Sequence, residues 1–193
     1  MDSADVPYVA YTECTVRNCA HSNFFTVRRF NGVSWEEFGQ RRYKQSSSTS
    51  MVITPDDRVV VALKVPSANG ANVYEIDTTT SATTWSRLGG AGYVANPVYY
   101  VSIACSSAGV LVLVFDDVDE VYFDTFSLTL TYKLSAKVFD RSISSTWTVL
   151  ESSFTDGGVF EPTVRIDRSK DIIYVGFIDA GHNLAASIWR HDL

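Results

Sequence analysis

The chain has 193 residues, of which 46% are hydrophobic, 13% aromatic and 20% charged, a balance that excludes an intrinsically disordered protein. The longest apolar run, Gly109 to Phe115, is too short for a membrane-spanning helix, so membrane insertion is not expected. Sixteen Lys and Arg against 22 Asp and Glu give a net charge of −6 at pH 7, which argues against nucleic acid as a partner.

The composition favours strands over helices. The sequence contains 24 Val, 9 Ile and 17 Thr, but only 10 Leu, 7 Glu and 2 Met. β-Branched side chains pack well on a pleated surface, whereas Leu, Glu and Met are among the better helix formers. The sequence therefore predicts an all-β protein.

The three cysteines suggest one disulfide and one buried thiol. Cys14 and Cys19 lie close together in a polar stretch, Thr12 to Asn23, and are predicted to form a disulfide. Cys105 lies in an apolar segment and is predicted to be a buried free thiol. This arrangement favours an extracellular location, whereas three free thiols would fit the cytosol. A metal site formed by Cys14, Cys19 and His21 would lack a fourth ligand.

A hairpin pattern occurs three times along the chain. Each copy has a short strand, a turn of a few polar residues and a longer apolar strand. The copies span Met51 to Leu63, Ser102 to Phe115 and Thr163 to Phe177. Internal repeats of this kind are typical of repeat architectures and set the length of the structural unit.

A second pattern accompanies the hairpins: a strand, a turn containing Asn or Asp, and a Trp that begins another strand. The tryptophans are Trp35, Trp85 and Trp147, in phase with the hairpins, whereas Trp189 breaks the phase. Together the two patterns define a unit of four antiparallel strands in roughly 50 to 60 residues, which is typical of a β-propeller blade. The Trp side chains are then predicted to pack between blades. A β-sandwich is the alternative fold.

The repeats predict four partial or complete blades in a single propeller-type domain or segment, 1–193. Their approximate ranges are 7–39, 50–90, 100–151 and 162–193. The first blade is predicted to lack its innermost strand and the last blade its outermost strand. An open strand edge invites pairing with another chain. We therefore expect the chain to be part of a larger propeller or of an assembly.

Several short motifs resemble degenerate propeller repeats of the sialidase-like, kelch-like and tectonin-like type. The motifs are Pro7-Tyr-Val-Ala-Tyr11, Val27-Arg-Arg-Phe-Asn-Gly-Val-Ser-Trp-Glu-Glu-Phe-Gly39 and Trp85-Ser-Arg-Leu-Gly-Gly90. The resemblance implies blade architecture, and such propellers include lectins, hydrolases and scaffolds. The segment from Asp140 to Trp147 departs from the sialidase Asp box because it is too long and contains no Gly.

Candidate binding residues lie in the connections that a propeller places on one face. These connections differ widely in length, and such variation on a constant frame is where binding sites usually lie. Tyr93, Tyr99 and Tyr100 are candidates for stacking on a sugar, with core packing as the alternative. His21, His182 and Asp179 are further binding candidates.

An acidic run provides the candidate metal ligands. It contains Asp116, Asp117, Asp119 and Glu120, with Asp124 further along. Carboxylates of this kind can ligate calcium, but their spacing matches no complete EF-hand loop. The alternative is a solvated, extended hairpin that pairs as a ribbon and offers a docking edge to another chain. Calcium is the only cofactor that the sequence suggests.

Two classes of function remain open. The first is a non-catalytic binding or scaffold module whose loop face contacts a glycan or a protein. The second is a glycoside hydrolase of sialidase-like architecture, which needs two carboxylates about 5 to 10 Å apart. Glu13, Asp116 and Asp179 each follow the second strand of a blade on the same rim and are the candidates for that role.

Overall fold

The computed structural model describes residues 1–14, 23–65, 70–80, 83–90, 97–123 and 128–193, with the backbone alone over 118–123 and 128–131. Within these ranges the chain forms fourteen β-strands in four antiparallel sheets of three, four, four and three strands. A short 3-10 helix, Ala180–His182, follows the thirteenth strand. No helix among these residues is long and apolar enough to span a membrane.

In each sheet the strands are hydrogen-bonded to their neighbours in chain order. The first sheet contains β1 (Tyr8–Cys14), β2 (Asn23–Phe30) and β3 (Trp35–Phe38). The second contains β4 (Ser48–Ile53), β5 (Arg58–Val65), β6 (Gly70–Asp77) and β7 (Ser86–Arg87). The third contains β8 (Val101–Cys105), β9 (Leu111–Phe123), β10 (Leu128–Phe139) and β11 (Thr148–Glu151). The fourth contains β12 (Val159–Asp167), β13 (Ile172–Asp179) and β14 (Ala185–Asp192).

The predicted all-β fold built from propeller blades is confirmed. The β-sandwich alternative is wrong, because the chain forms four separate sheets stacked in succession rather than two facing ones. The residues of β5 show why: Val59, Val61 and Leu63 pack in one core cluster, while Val60 and Ala62 pack in the next. Alternate residues of a strand point to opposite faces, so both faces of this sheet are buried.

The inner strands of successive blades are joined by serine side chains. Ser50 Oγ in β4 accepts a hydrogen bond from the main-chain N–H of Ile103 in β8, at 3.1 Å. Ser102 Oγ in β8 accepts one from Val164 in β12, also at 3.1 Å. The hydroxyls thus accept hydrogen bonds from N–H groups that are not paired within their own sheets. These bonds fix the position of each inner strand along the axis of the next one.

The predicted inter-blade packing of the repeated tryptophans is confirmed for two of them. Trp85 is 3% exposed, and its ring lies 5.3 Å from Phe25 and 6.4 Å from Phe38 in the first blade, measured between centroids. Trp147 is similarly buried against the second blade. Trp35 belongs to the first blade, against whose outer face no preceding blade packs among the described residues, and it is 45% exposed.

The strand phase agrees with the sequence analysis. The second strand of the second blade, β5, contacts the first strand of the next blade, β8, and β9 contacts β12 in the same way. Strand β1 contacts β4 likewise, so β1 corresponds to the second strand of a blade. The first blade therefore presents its second to fourth strands and the last blade its first to third. Trp189, which breaks the repeat, lies in the third strand of the last blade and packs on Phe154 at 4.6 Å between centroids.

The acidic run is part of a long hairpin. Strands β9 and β10 continue their pairing beyond the body of the blade as far as Phe123 opposite Leu128. This confirms the predicted ribbon, with a register shift between Thr131 and Tyr132. Because the strands of each sheet alternate in direction, the ribbon continues at the same end of the sheet as the connections between blades.

Candidate functional site

A small cavity opens on the face that carries the connections between successive blades and between the second and third strands of each blade. We call this side the loop face. The cavity lies between the third and fourth blades and has a volume of about 180 Å³. We call it the loop-face pocket. Its described lining residues are Tyr99, Tyr100, Asp116, Tyr132, Val159 and Phe160.

Strand periodicity places Asp116 in this pocket. Val112, Val114 and Asp116 alternate along β9, and the two valines pack toward the fourth blade, so the carboxyl group faces the same way. Asp116 is 1% exposed. Its Oδ1 accepts hydrogen bonds from the main-chain N–H groups of Tyr99, at 2.8 Å, and Tyr100, at 2.7 Å. The carboxylate therefore fixes the segment that carries both tyrosines.

The Asp116 carboxyl group is electrostatically unusual. Burial raises its pKa to about 6, although the two N–H donors and the charge of Lys64 oppose that shift. Desolvation disfavours the ionised form, and no salt bridge to Asp116 occurs among the described residues to compensate. The bonds from Tyr99 and Tyr100 both fall on Oδ1.

Aromatic rings form the walls of the pocket. Tyr99 is 49% exposed and Phe160 is 44% exposed, so both offer open surface to a ligand. The rings of Tyr99 and Tyr132 meet edge to face at 4.8 Å between centroids. The Tyr132 hydroxyl is buried beside the Tyr99 ring. The Lys64 ammonium lies 4.4 Å from the centroid of the Tyr99 ring.

The pocket brings together some of the predicted site residues. Tyr99, Tyr100 and Asp116 line it, although the sequence suggested the tyrosines for stacking and Asp116 for calcium. Tyr93 and His21 lie outside the described residues. Among the described residues, no group of three His, Cys, Asp or Glu side chains is placed to hold a metal ion.

Calcium binding by the acidic run stays a prediction. The side chains of Asp119 and Glu120 lie outside the described part of the chain. Asp117 lies beside Asp116 on β9, so successive side chains point to opposite faces of the strand. The pair therefore does not present both carboxylates to the loop-face pocket.

Asp179 and His182 form a separate pair beside the pocket. Asp179 accepts hydrogen bonds from Gly181 N at 2.9 Å and from His182 Nδ1 at 2.8 Å. The bond to His182 lowers the pKa of Asp179, and burial opposes this only in part. Asp179 is opposite Val159 in the β12–β13 ladder, so the pair is adjacent to a pocket-lining residue. Its evident role is to cap the 3-10 helix.

Glu13 is held by cations in the first blade. Its carboxylate forms ion pairs with Arg41 at 3.0 Å and Arg42 at 3.4 Å, and it accepts a hydrogen bond from Thr26 at 2.6 Å. These contacts, the hydrogen bond from Arg41 foremost, lower the pKa of Glu13 to about 2. Glu13, Asp116 and Asp179 thus have different partners, and only Asp116 is among the described lining residues of the pocket.

Sequence reasoning missed Lys64, Tyr132 and Phe160. A register comparison of the repeats could have found Lys64. It follows Leu63, which is opposite Thr49, as Asp116 follows Phe115, which is opposite Val101 in the next blade. Tyr132 and Phe160 come from other strands, and their approach to the pocket depends on the angle between blades. No sequence pattern encodes that angle.

The cysteines are consistent with one disulfide. Cys14 is disulfide-bonded, while its predicted partner Cys19 lies outside the described residues, so that pairing stays a prediction. Cys105 is free and 2% exposed, and burial raises the pKa of its thiol to about 11. It borders a cavity of about 300 Å³ between the inner strands, whose described lining includes Arg165 and Arg168 but no carboxylate.

Neither a comparison with protein-family models nor one with curated proteins finds a match to the sequence. Among solved structures, the chain is similar to a protein of unknown function from Dyadobacter fermentans, with a TM-score of 0.64 and 12% identity. That match covers 98% of this chain and 63% of the Dyadobacter chain. This chain therefore spans less than two thirds of that structure.

Two further structures match with lower scores. One is an alpha-L-arabinanase from Cellvibrio cellulosa, with a TM-score of 0.48 and 10% identity over 100% of this chain and 71% of that one. The other is a mutant lectin from Aleuria aurantia in complex with alpha-methyl-L-fucoside, with a TM-score of 0.49 and 10% identity over 98% and 65%. At such identities similarity concerns the fold alone, and the specific repeat family suggested by the motifs stays a prediction.

Proposed function

We propose that this chain is a non-catalytic glycan-binding module that holds a sugar in the loop-face pocket. The observation that carries the proposal is a buried Asp116 carboxylate, with the bonds from Tyr99 and Tyr100 on Oδ1, in a pocket lined by exposed aromatic rings. A sugar ring presents an apolar C–H face and an edge of hydroxyl groups. Tyr99 and Phe160 offer surfaces for the C–H face, and Asp116 offers a hydrogen-bond acceptor for the hydroxyl groups.

The rigidity of the pocket supports binding. Asp116 Oδ1 holds the main chain at Tyr99 and Tyr100, and the Tyr132 ring supports the Tyr99 ring at its edge. Side chains that are already ordered lose little conformational entropy when a ligand binds.

Glycoside hydrolysis is the second candidate function, and one observation favours it. The pKa of Asp116, raised to about 6, suits a general acid. Hydrolysis needs a second carboxylate within about 10 Å. Glu13 is held by two arginines and Asp179 caps the 3-10 helix, and neither is among the described residues that line the pocket. Binding without catalysis is therefore the better supported function.

A glycan array followed by calorimetry tests the proposal. We expect at least one class of oligosaccharide to bind, and Tyr99→Ala to weaken that binding about tenfold or more, because stacking area is lost. Tyr174→Ala is the matched control, since Tyr174 is 37% exposed on the fourth blade outside the pocket lining. Its affinity should equal that of the wild type.

Two results would contradict the proposal. One is the absence of any oligosaccharide binding by the folded protein, which would favour a protein partner. The other is release of reducing sugar that is lost in Asp116→Asn, which would support the hydrolase.

A further inference from the structure

We infer that the loop-face pocket selects sugars that carry a free, protonated amino group, such as glucosamine units. This inference rests on the proposed glycan-binding function and names the class of glycan. Its basis is the combination of a buried carboxylate that forms no salt bridge among the described residues and several aromatic rings around one small cavity. That combination is typical of sites that recognise ammonium groups.

The first step of the argument concerns charge. Asp116 is 1% exposed, and its described hydrogen bonds come from two main-chain N–H groups, both on Oδ1. A buried carboxylate that lacks a cationic partner costs free energy, and a cation that binds beside it recovers part of that cost. An ammonium group at Oδ2 would supply the missing charge together with a hydrogen-bond donor.

The second step concerns the rings. A cation within about 6 Å of an aromatic centroid is attracted by the electron-rich face of the ring. The Lys64 ammonium already lies 4.4 Å from the Tyr99 centroid. The protein's own lysine thus shows that the surroundings of this ring accept an ammonium group. Tyr132 and Phe160 add aromatic surface around the same cavity.

The third step concerns selection against other sugars. The whole chain has a net charge of −6. This acidic setting attracts cationic ligands and repels uronic acids and sulfated sugars. Among the described residues, the Lys64 ammonium lies against the Tyr99 ring of the pocket and opposes this effect.

The size of the pocket is compatible with one sugar unit. Its volume of about 180 Å³ is below the roughly 300 to 1,000 Å³ typical of pockets for drug-sized ligands. One glucosamine ring can enter with its amino group toward Asp116, while the rest of the oligosaccharide stays on the loop face.

The test compares three tetrasaccharides of equal length by calorimetry near neutral pH. They are the glucosamine tetramer, its N-acetylated counterpart and the neutral glucose tetramer with the same linkage. We expect the wild-type protein to bind the glucosamine tetramer about tenfold more tightly than the other two, as one charge-assisted contact provides. The N-acetylated ligand is the closest control because it differs in the amino charge and the acetyl group.

Two variants test the assigned roles in opposite directions. Asp116→Asn keeps an oxygen acceptor for the N–H groups of Tyr99 and Tyr100 but removes the charge, so the preference for glucosamine should disappear. Lys64→Met keeps an unbranched apolar chain but removes the competing ammonium, so the affinity for glucosamine should rise several-fold. Thermal unfolding of both variants verifies that they are folded, and Lys64→Met keeps the test decisive if Asp116→Asn is unstable.

The outcomes separate this inference from the proposed function. If all three tetrasaccharides bind equally and Asp116→Asn changes nothing, the inference is wrong and the proposed function stands. If the neutral ligands bind and the glucosamine tetramer does not, the inference is again wrong and the proposed function again stands. If no saccharide binds but a trimethyl-lysine peptide does, both are wrong, and the pocket recognises a protein.

Discussion

The indole N–H of Trp147 donates a hydrogen bond of 3.3 Å to the main-chain carbonyl of Leu88 in the preceding blade. The next residue, Gly89, lies against the same indole ring and has a φ of +81°. One tryptophan side chain thus joins two blades by a polar contact and an apolar contact. Gly39 lies against Trp85 in the same way one blade earlier, which explains why the Trp and the Gly recur together.

Gly89→Ala is expected to lower the free energy of unfolding more than Gly90→Ala. Both residues have a positive φ, +81° and +85°, which costs an alanine about 1 to 2 kcal/mol. A Cβ at Gly89 would also collide with the Trp147 indole, whereas a Cβ at Gly90 meets nothing within 4 Å. Overpacking of this kind adds about 1 to 3 kcal/mol. Urea unfolding of both variants measures the difference, and equal losses would contradict the role assigned to the indole.

A second prediction concerns the ion pair between Arg141 of the third blade and Glu75 of the second. Glu75 is 8% exposed, and Arg141 contacts both of its carboxylate oxygens. Among the described residues, Arg141→Met leaves the buried Glu75 carboxylate with Arg58, at 4.0 Å, as its remaining cation. We expect a loss of about 2 kcal/mol or more in the free energy of unfolding.

The control for the ion pair is Arg190→Met, which removes the exposed pair with Asp192. Exposed pairs contribute little, so that variant should lie within about 1 kcal/mol of the wild type. The double variant Arg141→Met with Glu75→Gln should regain part of the lost stability, because the unpaired charge is gone. Equal effects of Arg141→Met and Arg190→Met in denaturant unfolding would contradict the assignment.

Sequence reasoning succeeded where local pattern determines structure. The hairpin pattern that occurs three times and the recurrence of Trp35, Trp85 and Trp147 were sufficient to predict the order of the four sheets, because each repeat of the sequence forms one blade. Trp35 is exposed because, among the described residues, no preceding blade packs against the first blade. The pocket was only partly predictable, because Tyr132 and Phe160 reach it from separate strands. The burial of Asp116 also depends on the fourth blade, whereas its sequence neighbours suggest a solvated acid.

The cysteines give a third prediction. Thiol titration of the native, oxidised protein should detect no reactive group, because Cys14 is disulfide-bonded and Cys105 is 2% exposed with a raised pKa. Titration in denaturant should detect one thiol. Replacing Cys14 and Cys19 by Ser should cost roughly 2 kcal/mol, as expected for a short loop. A rapidly reacting Cys105 in the native protein would contradict the buried position.

The last prediction is a pH dependence caused by Asp116. Its pKa is raised to about 6 in the folded protein and lies near about 3.9 in an unfolded chain. Between these values the native state holds a proton that the unfolded chain has released, so this group's contribution to stability falls as the pH rises from about 4 to about 6. A shift of about two pKa units corresponds to about 3 kcal/mol.

Asp116→Asn removes that titration and keeps the acceptor for Tyr99 and Tyr100. The stability of the variant relative to the wild type should therefore increase by up to about 3 kcal/mol between pH 4 and pH 7. The comparison cancels the opposite pH dependence of Glu13 and Asp179, whose lowered pKa values are common to both proteins. Denaturant unfolding at several pH values measures the difference. A constant difference across the range would mean that Asp116 titrates as an ordinary, solvated carboxyl group, and the pocket would then lack its buried charge.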